Sequence, residues 1–375
     1  MAEETLTRVA ILGASGYTGG ELVRLLARHP RVEIVVLTAD RHAGEPLGVV
    51  FPHLGGLDLP DLMKIEEVEW AGLDVDVVFC GLPHGTTQEI VKGLLHATGH
   101  TVVDEVMHEG REDLLSGLRK NVKVIDLSAD FRLDDIDVYA QWYGHEHYAP
   151  TLQDEAVYGL TELNRDAIKD ARLVACPGCY PTVPQLALAP LLVKGLIEIE
   201  NIIIDAKSGV TGAGRSAKQA MLYAEVAEGA HAYGIASHRH TPEIEQELSK
   251  AASSAVSVSF TPHLVPMNRG LLATMYVTLA GDATVDDIRQ TLIRRYDDEP
   301  FVRITEPGVA PATRDVRGSN HCLIGVFADR LPGRVILVGV IDNLVKGSSG
   351  QAVQNMNVML GFPETLGLEQ EPLFP

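Results

Sequence analysis

Cysteine is scarce in this chain, with four in 375 residues, too few for a disulfide framework. An unpaired reactive thiol needs reducing surroundings, so this scarcity points to the cytoplasm. Long apolar runs are missing as well: no stretch reaches the roughly 18 uninterrupted apolar residues that read as a membrane span. The opening residues, Met1-Ala2-Glu3-Glu4-Thr5, lack the basic region and apolar core of a secretory leader. Neither secretion nor membrane insertion is expected. Basic residues are outnumbered, 31 Lys and Arg against 51 Asp and Glu, which leaves a net charge of −20. With no Lys/Arg-rich block, nucleic acid is excluded as a partner, because neutralising phosphates needs a basic face. Internal repeats and low-complexity tracts are also absent. What is present is an ordinary globular composition, 46% hydrophobic and 22% charged, with length for about two domains of ~150 residues each.

The chain is organised around Cys176-Pro177-Gly178-Cys179-Tyr180-Pro181-Thr182, between the apolar run Leu173-Val174-Ala175 and a long apolar stretch from Val183 to Val193. The pattern reads as strand, tight turn and helix, with Gly178 in the turn and Pro181 in the first helical turn. Cys179 then sits near a helix N-terminus, where backbone N–H groups and the macrodipole favour a thiolate, and is a candidate nucleophile. The Cys-x-x-Cys spacing also fits a redox pair. Cys80 and Cys322 are isolated and do not complete a zinc site. The pairs His145/His147 and His238/His240 lack a carboxylate at ligand spacing, so no metal is expected.

Near the start, Arg8–Leu12 is a short β-branched run, followed by Gly13-Ala14-Ser15-Gly16-Tyr17-Thr18-Gly19-Gly20 and a helical pattern through Leu26. Strand, glycine turn and helix suit a dinucleotide: the turn admits a pyrophosphate and the helix N-terminus faces it. Gly13, Ser15, Gly16, Tyr17, Thr18 and Gly19 are the expected cofactor contacts. A second strand, Glu33–Thr38, ends at Ala39-Asp40-Arg41, where an acid favours a free ribose hydroxyl and an arginine a 2′-phosphate. Having both leaves that choice open. A third strand, Val75–Cys80, leads into a loop with Pro83 and His84, placed where ligands gather in an open α/β sheet. Thr101–Val103 and Val124–Leu127 continue the alternation, which implies a doubly wound, mostly parallel sheet.

After Cys179 strands follow strands more often, at Asn201–Lys207, Val256–Phe260, Leu272–Leu279, Cys322–Ala328 and Val335–Ile341, with helices at Pro242–Lys250 and Val285–Tyr296. That suggests an α+β domain on a mixed sheet. The loop Ser208–Ser216, with Gly209 and Arg215, offers backbone N–H groups and a cation to an anionic ligand. His238-Arg239-His240 supplies a proton shuttle. Arg215, Lys207, Lys218, Arg239 and Lys346 form the local positive cluster that an acidic chain needs around an anion. Asp342–Gly350, with Asn343 and Gly350, is a polar turn before a helix over Gln351–Leu360 with one apolar face. Together a dinucleotide cleft, a thiol and an anion loop describe acyl transfer to the thiol, loss of phosphate and hydride reduction to an aldehyde.

Gly13–Gly20, Ile125–Leu133, Val157–Arg165, Pro177–Thr182, Ser208–Arg215, His238–Ile244 and Lys346–Asn355 resemble the N-acetyl-γ-glutamyl-phosphate reductase family of arginine biosynthesis, which is related to aspartate-semialdehyde dehydrogenase. The resemblance spans nearly the whole chain, and Gly178-Cys179-Tyr180-Pro181-Thr182 is its most telling stretch. It implies NADPH-dependent reduction of N-acetyl-L-glutamyl 5-phosphate to the 5-semialdehyde. Cys179 matches the family's nucleophile, and His238, with His240 in reserve, its acid/base. If the segment were a strand, both imidazoles would project to one face. Ser208, Gly209, Arg215 and Arg239 are expected at the substrate; Gly13–Gly19, Arg41, Pro83, His84, Asn343 and Gly350 at NADP(H). The implied architecture is a Rossmann-like domain over 1–178 and 345–375, closed by the C-terminal helix, and an α+β catalytic and oligomerisation domain over 179–344. The expected assembly is a dimer or tetramer. Cys176 stands where many members have asparagine. Aspartate-semialdehyde dehydrogenase activity is the alternative.

Overall fold

The computed structural model describes residues 5–70, 72–97 and 121–374. They form two compact units. One comprises Met1–Pro177 with Ser349–Leu368, the other Gly178–Ser348 with Glu369–Pro375. The residues after Leu368 therefore group with the second unit, whereas the sequence reading placed 345–375 wholly with the first.

The first unit is built on a seven-stranded sheet in the order β3-β2-β1-β4-β5-β7-β6. Its strands are β1 (Thr7–Leu12), β2 (Val32–Thr38), β3 (Leu62–Met63), β4 (Val77–Cys80), β5 (Lys123–Asp126), β6 (Val157–Tyr158) and β7 (Leu173–Ala175). Every pairing is parallel. The chain winds outward from β1 in both directions, so the ends of β1 and β4 flank a topological switch point, where such sheets bind ligands. β4 reads Val77-Val78-Phe79-Cys80 and is buried throughout, as expected of a strand covered on both faces. The proposed strand Thr101–Val103 lies outside the described residues.

The helix Gly350–Leu360 belongs to this unit. It does not have the single apolar face read from its sequence: Gly350 through Met359 are all buried. Its polar residues are accommodated by hydrogen bonds instead of solvent. Asn355 Nδ2 donates to the Gly159 carbonyl at 2.8 Å, and its Oδ1 accepts from Thr161 Oγ1 at 2.7 Å. Gln354 Nε2 donates to Glu162 and Glu364, and Asn357 Oδ1 lies 3.0 Å from His29 Nε2.

The second unit carries another seven-stranded sheet, β12-β13-β14-β11-β8-β10-β9. Its strands are β8 (Ile202–Gly209), β9 (His231–Ala232), β10 (Val258–Val265), β11 (Leu271–Thr278), β12 (Val302–Ile304), β13 (Cys322–Ala328) and β14 (Arg334–Ile341). The β10/β8 and β12/β13 pairs are parallel and the others antiparallel, so the sheet is mixed. Strict alternation of burial along β11 gives it one deeply buried face and one half-buried face. The helix Cys179–Val193 packs against β11 and β14 and against the helices Thr241–Ala252 and Val285–Tyr296.

Candidate active site

In the first unit the glycine turn follows β1. Gly13 has φ +78°, and a Cβ there would lie 2.5 Å from the Gly81 carbonyl oxygen. A Cβ on Gly19 would lie 2.4 Å from the Gly13 oxygen. Only glycine permits this approach of the turn to the β4 loop and of the helix to the turn. The helix Tyr17–Leu26 then begins at Gly16 without a side-chain cap and with no acid in its first turn. That leaves its N-terminus suited to an anion, and the residues fit a dinucleotide pyrophosphate. Ser349 Oγ donates to the Thr18 carbonyl at 2.9 Å, which places the start of the C-terminal helix, with buried Gly350 as its first residue, beside this turn. Asp40 and Arg41 are both exposed beyond the end of β2.

The loop after β4 is held from a distance. Asp130, fully buried, accepts hydrogen bonds from Gly85 N at 2.8 and 3.0 Å, Thr87 N at 3.1 Å and Tyr139 Oη at 3.1 Å. Pro83 and His84 are exposed, and His84 Nδ1 accepts from Ala129 N at 3.0 Å. His147 has both ring nitrogens engaged, one with the Asp130 carbonyl and one with Ala149 N. It supports this loop scaffold. Cys176 is also buried here, with Asn355 Nδ2 at 3.5 Å from its sulfur. Burial pushes its thiol up to about 12, so it is a poor thiolate partner for a redox pair.

In the second unit Cys179 is the first residue of its helix and is partly exposed. Gly178, the N-cap, donates its N–H to Glu243 Oε1 at 2.7 Å, and Gln185 Nε2 donates to the Glu243 carbonyl at 3.1 Å. Glu243 lies in the first turn of the helix that His238-Arg239-His240 precedes. One buried carboxylate thus ties the turn before Cys179 to the histidine segment.

That segment is a turn, not a strand, and it still brings the two imidazoles together, both edge-on to Tyr180. Gly234 and Ala236 both have positive φ, +53° and +55°. For alanine that conformation is costly and is held by its surroundings. The His238 ring lies edge-on to Tyr180 (5.5 Å between centroids), Tyr233 (5.4 Å), Phe260 (5.6 Å) and His240 (4.8 Å). Burial in this aromatic box, reinforced by Arg239, lowers its pKa to about 4. His238 Nδ1 accepts from His240 N at 3.1 Å, which places the proton of the neutral ring on Nε2. His240 is the N-cap of the following helix. Tyr233 Oη donates to Tyr180 Oη at 3.1 Å, which donates to the His263 carbonyl at 3.0 Å. Burial raises both phenol pKa values.

The anion loop follows β8. Ser208 is buried and Gly209 lies against the Met267 and Asn268 carbonyls, where a Cβ would approach within 2.8 and 2.7 Å. Residues 212–220 are exposed, Arg215 and Lys218 among them, and so is Arg239. The expected positive cluster is smaller than its sequence suggested. Lys207 pairs with Asp205, and Lys346 is fully buried with its ammonium 5.9 Å from the Phe301 ring centre. Asn343 is also buried and engages the residue before β11, Gly270, and Thr211 of the loop after β8 within this unit.

The Gly178 turn before Cys179 shows in local sequence, but Glu243, Tyr233 and Phe260 do not. Pro242-Glu243 reads as an ordinary helix start, and nothing local indicates that its carboxylate reaches Gly178. Asp130 gives no better signal, because its backbone N–H partners Gly85 and Thr87 lie 45 and 43 residues away.

Residues 8–113 and 107–171 match the semialdehyde dehydrogenase NAD binding domain, and residues 179–343 the semialdehyde dehydrogenase dimerisation domain. An N-acetyl-gamma-glutamyl-phosphate reductase of Rhodospirillum rubrum is 62% identical over 369 residues, covering 98% of both chains. The chain belongs to the N-acetyl-gamma-glutamyl-phosphate reductase family. A probable chloroplastic member from Oryza sativa is 56% identical over 98% of this chain and 82% of its own. In fold the chain is similar to aspartate semialdehyde dehydrogenase II of Vibrio cholerae, with TM-score 0.67, 18% identity, and coverage of 95% and 99% of the two chains. Among the described residues no helix is long and apolar enough to cross a membrane.

Proposed function

We propose that this chain reduces N-acetyl-L-glutamyl 5-phosphate to N-acetyl-L-glutamate 5-semialdehyde with NADPH, releasing phosphate, in the cytoplasm and as a homodimer or tetramer. The observation that carries this reading is Cys179 as the first residue of its helix, next in sequence to Tyr180, whose ring borders a neutral His238. His238 takes the Cys179 thiol proton at its unprotonated ring nitrogen, and the sulfur attacks the acyl carbon. A C–S bond forms, the bond to the phosphate oxygen breaks, and phosphate leaves with the electron pair. NADPH, when bound, supplies the hydride that reduces the thioester carbon. The C–S bond then breaks, releasing the aldehyde and the thiolate. Arg215 and Arg239 hold the anionic groups of the substrate beside the Ser208–Gly214 loop, whose Gly209, Val210, Thr211 and Gly214 N–H groups already donate to carbonyls.

The glycine turn at Gly13–Gly19, with the Pro83–His84 loop, holds the cofactor, and Arg41 favours the 2′-phosphate. For the oligomer, Tyr276, Ile336 and Phe327 stand in register across β11, β14 and β13 on the half-buried face of the second sheet. This apolar row supports self-association there. Four free cysteines suit a reducing compartment.

The test follows NADP⁺ reduction by absorbance with N-acetyl-L-glutamate 5-semialdehyde and phosphate, beside Cys179→Ser. A phosphate-dependent signal that the variant loses while still binding NADPH is expected. Activity with aspartate semialdehyde in place of the acetylated aldehyde overturns the substrate assignment, and full activity in Cys179→Ser overturns the mechanism.

A further inference from the structure

Between β14 and the C-terminal helix the chain makes a single π-turn, Val345–Ser349, a rare feature concentrated at functional sites. Its start is fixed by Asp342, which is fully buried. The Asp342 carboxylate accepts from Leu344 N at 2.8 Å, Val345 N at 3.2 Å and Gly318 N at 2.7 Å, and its carbonyl accepts from Gly347 N at 3.0 Å. Two neighbours in this segment reach two different parts of the second unit.

Asn343 reaches the anion loop. Its Oδ1 accepts from Gly270 N at 2.8 Å and its Nδ2 donates to Thr211 Oγ1 at 2.9 Å. Thr211 Oγ1 in turn donates to the Asn268 carbonyl at 2.6 Å, and Val210 N to the Met267 carbonyl at 2.9 Å. Gly347 reaches the nucleophile. An ideal Cβ on Gly347 would lie 2.8 Å from Cys179 Cβ and 3.2 Å from Cys179 Cα. Those neighbours belong to the start of a helix, not to the free end of a side chain, so the helix N-terminus itself would have to shift.

We propose that residues 342–347 are a bracket that sets Cys179 and the Ser208–Gly214 loop in fixed register, with Gly347 as positioning residue for the thiol and Asn343 as positioning residue for the anion loop. The Asn343 half rests on the reading of that loop as the phosphate site; the Gly347 half does not. Neither residue contributes an atom to the reaction. Each acts through a neighbour: Gly347 by leaving room for the Cys179 backbone, Asn343 by holding Thr211.

The experiment compares Gly347→Ala, Thr211→Val and Arg215→Ala with the unaltered enzyme, measuring kcat, KM for phosphate, and the rate at which iodoacetamide alkylates Cys179. Displacing a reacting atom by about 1 Å costs on the order of 100-fold in rate, so Gly347→Ala should lower kcat by about 10- to 100-fold. It should also change the alkylation rate by at least about threefold, with KM for phosphate little altered. Thr211→Val should raise KM for phosphate by about tenfold, the loss of roughly one hydrogen bond to a positioned loop, with alkylation unchanged. A merely structural role predicts lower yield or Tm with KM and alkylation per folded molecule both unchanged, and that result overturns the bracket. Should Gly347→Ala not fold, an unchanged KM in Thr211→Val overturns it. If Arg215→Ala leaves KM for phosphate unaltered, the anion-loop reading falls, and the alkylation rate of Gly347→Ala, which needs no substrate, decides the Gly347 half.

Discussion

The Glu243 carboxylate accepts a 2.7 Å hydrogen bond from the backbone N–H of Gly178, the residue that caps the Cys179 helix. Both groups are buried, so removing the acceptor leaves a donor unsatisfied, at a cost of about 1–3 kcal/mol. Glu243→Ala is expected to lose that much in denaturant unfolding and to lower kcat by displacing Cys179. Glu243→Gln keeps an acceptor oxygen and should unfold within about 0.5 kcal/mol of the parent. Equal destabilisation by both substitutions would show that the hydrogen bond is not what Glu243 contributes.

The aromatic box around His238 makes a prediction about pH. Its pKa is lowered to about 4, so the neutral base persists from alkaline pH down to that value and the acid limb attributable to His238 in kcat/KM should fall near pH 4. Phe260→Ser, which admits water beside the ring, should move that limb upward towards the ordinary histidine value of about 6.5. His238→Asn should lose about 10²- to 10⁴-fold in kcat. A limb that stays in place in Phe260→Ser would exclude His238 as its source.

Asp130 supports the loop proposed to hold the cofactor. Its carboxylate holds Gly85 N, Thr87 N and Tyr139 Oη together, and an asparagine offers only one acceptor oxygen for these donors. Asp130→Asn is therefore expected to weaken NADPH binding by about tenfold, on the scale of one lost charge-assisted bond. Fluorescence titration of the cofactor measures this directly. Alkylation of Cys179 should be unaltered.

Asp126 lies fully buried beneath the same loop, accepting from Ser128 N and Ser128 Oγ, both at 2.8 Å. Burial first, and Asp130 second, push its pKa up to about 7 from 3.8. The folded state therefore binds a proton more tightly than the unfolded chain. The associated stability is fully present below about pH 4 and is lost as pH rises through about 7. Asp126→Asn removes this dependence, so the variant should gain in unfolding free energy relative to the parent as pH increases across that window. Parallel pH profiles for the two proteins would contradict the assignment.

The sequence showed most clearly those features that one segment determines by itself. Strand, Gly178 turn and helix at Cys179 follow one another directly, as do β1, the Gly13–Gly19 turn and the helix after it. β13 and the helix Val285–Tyr296 occur with the bounds read from their patterns. Features built from several segments were hidden. His238 is preferred to His240 in sequence only on its chain spacing from Cys179, because Tyr233 and Phe260, which pack against His238 from separate elements, leave no local signal. Lys346 looked like a surface cation from its glycine- and serine-rich neighbours, yet it is fully buried beside Phe301. The C-terminal helix looked half-exposed because pattern reading sees Gln354, Asn355 and Asn357 as solvent-facing, and their buried partners lie up to 328 residues away.

The first unit is interrupted: the chain leaves it at Pro177 and re-enters at Ser349. On the ribosome, where domains generally fold as they emerge at about 5–20 residues per second, this inverts the usual order. The Cys179 helix and the whole second sheet are complete before the helix Gly350–Leu360 has been synthesised. Asn355 and Asn357 cannot meet Gly159 and His29 until the second sheet has been synthesised, so the half of the protein that is made first is the half that matures last.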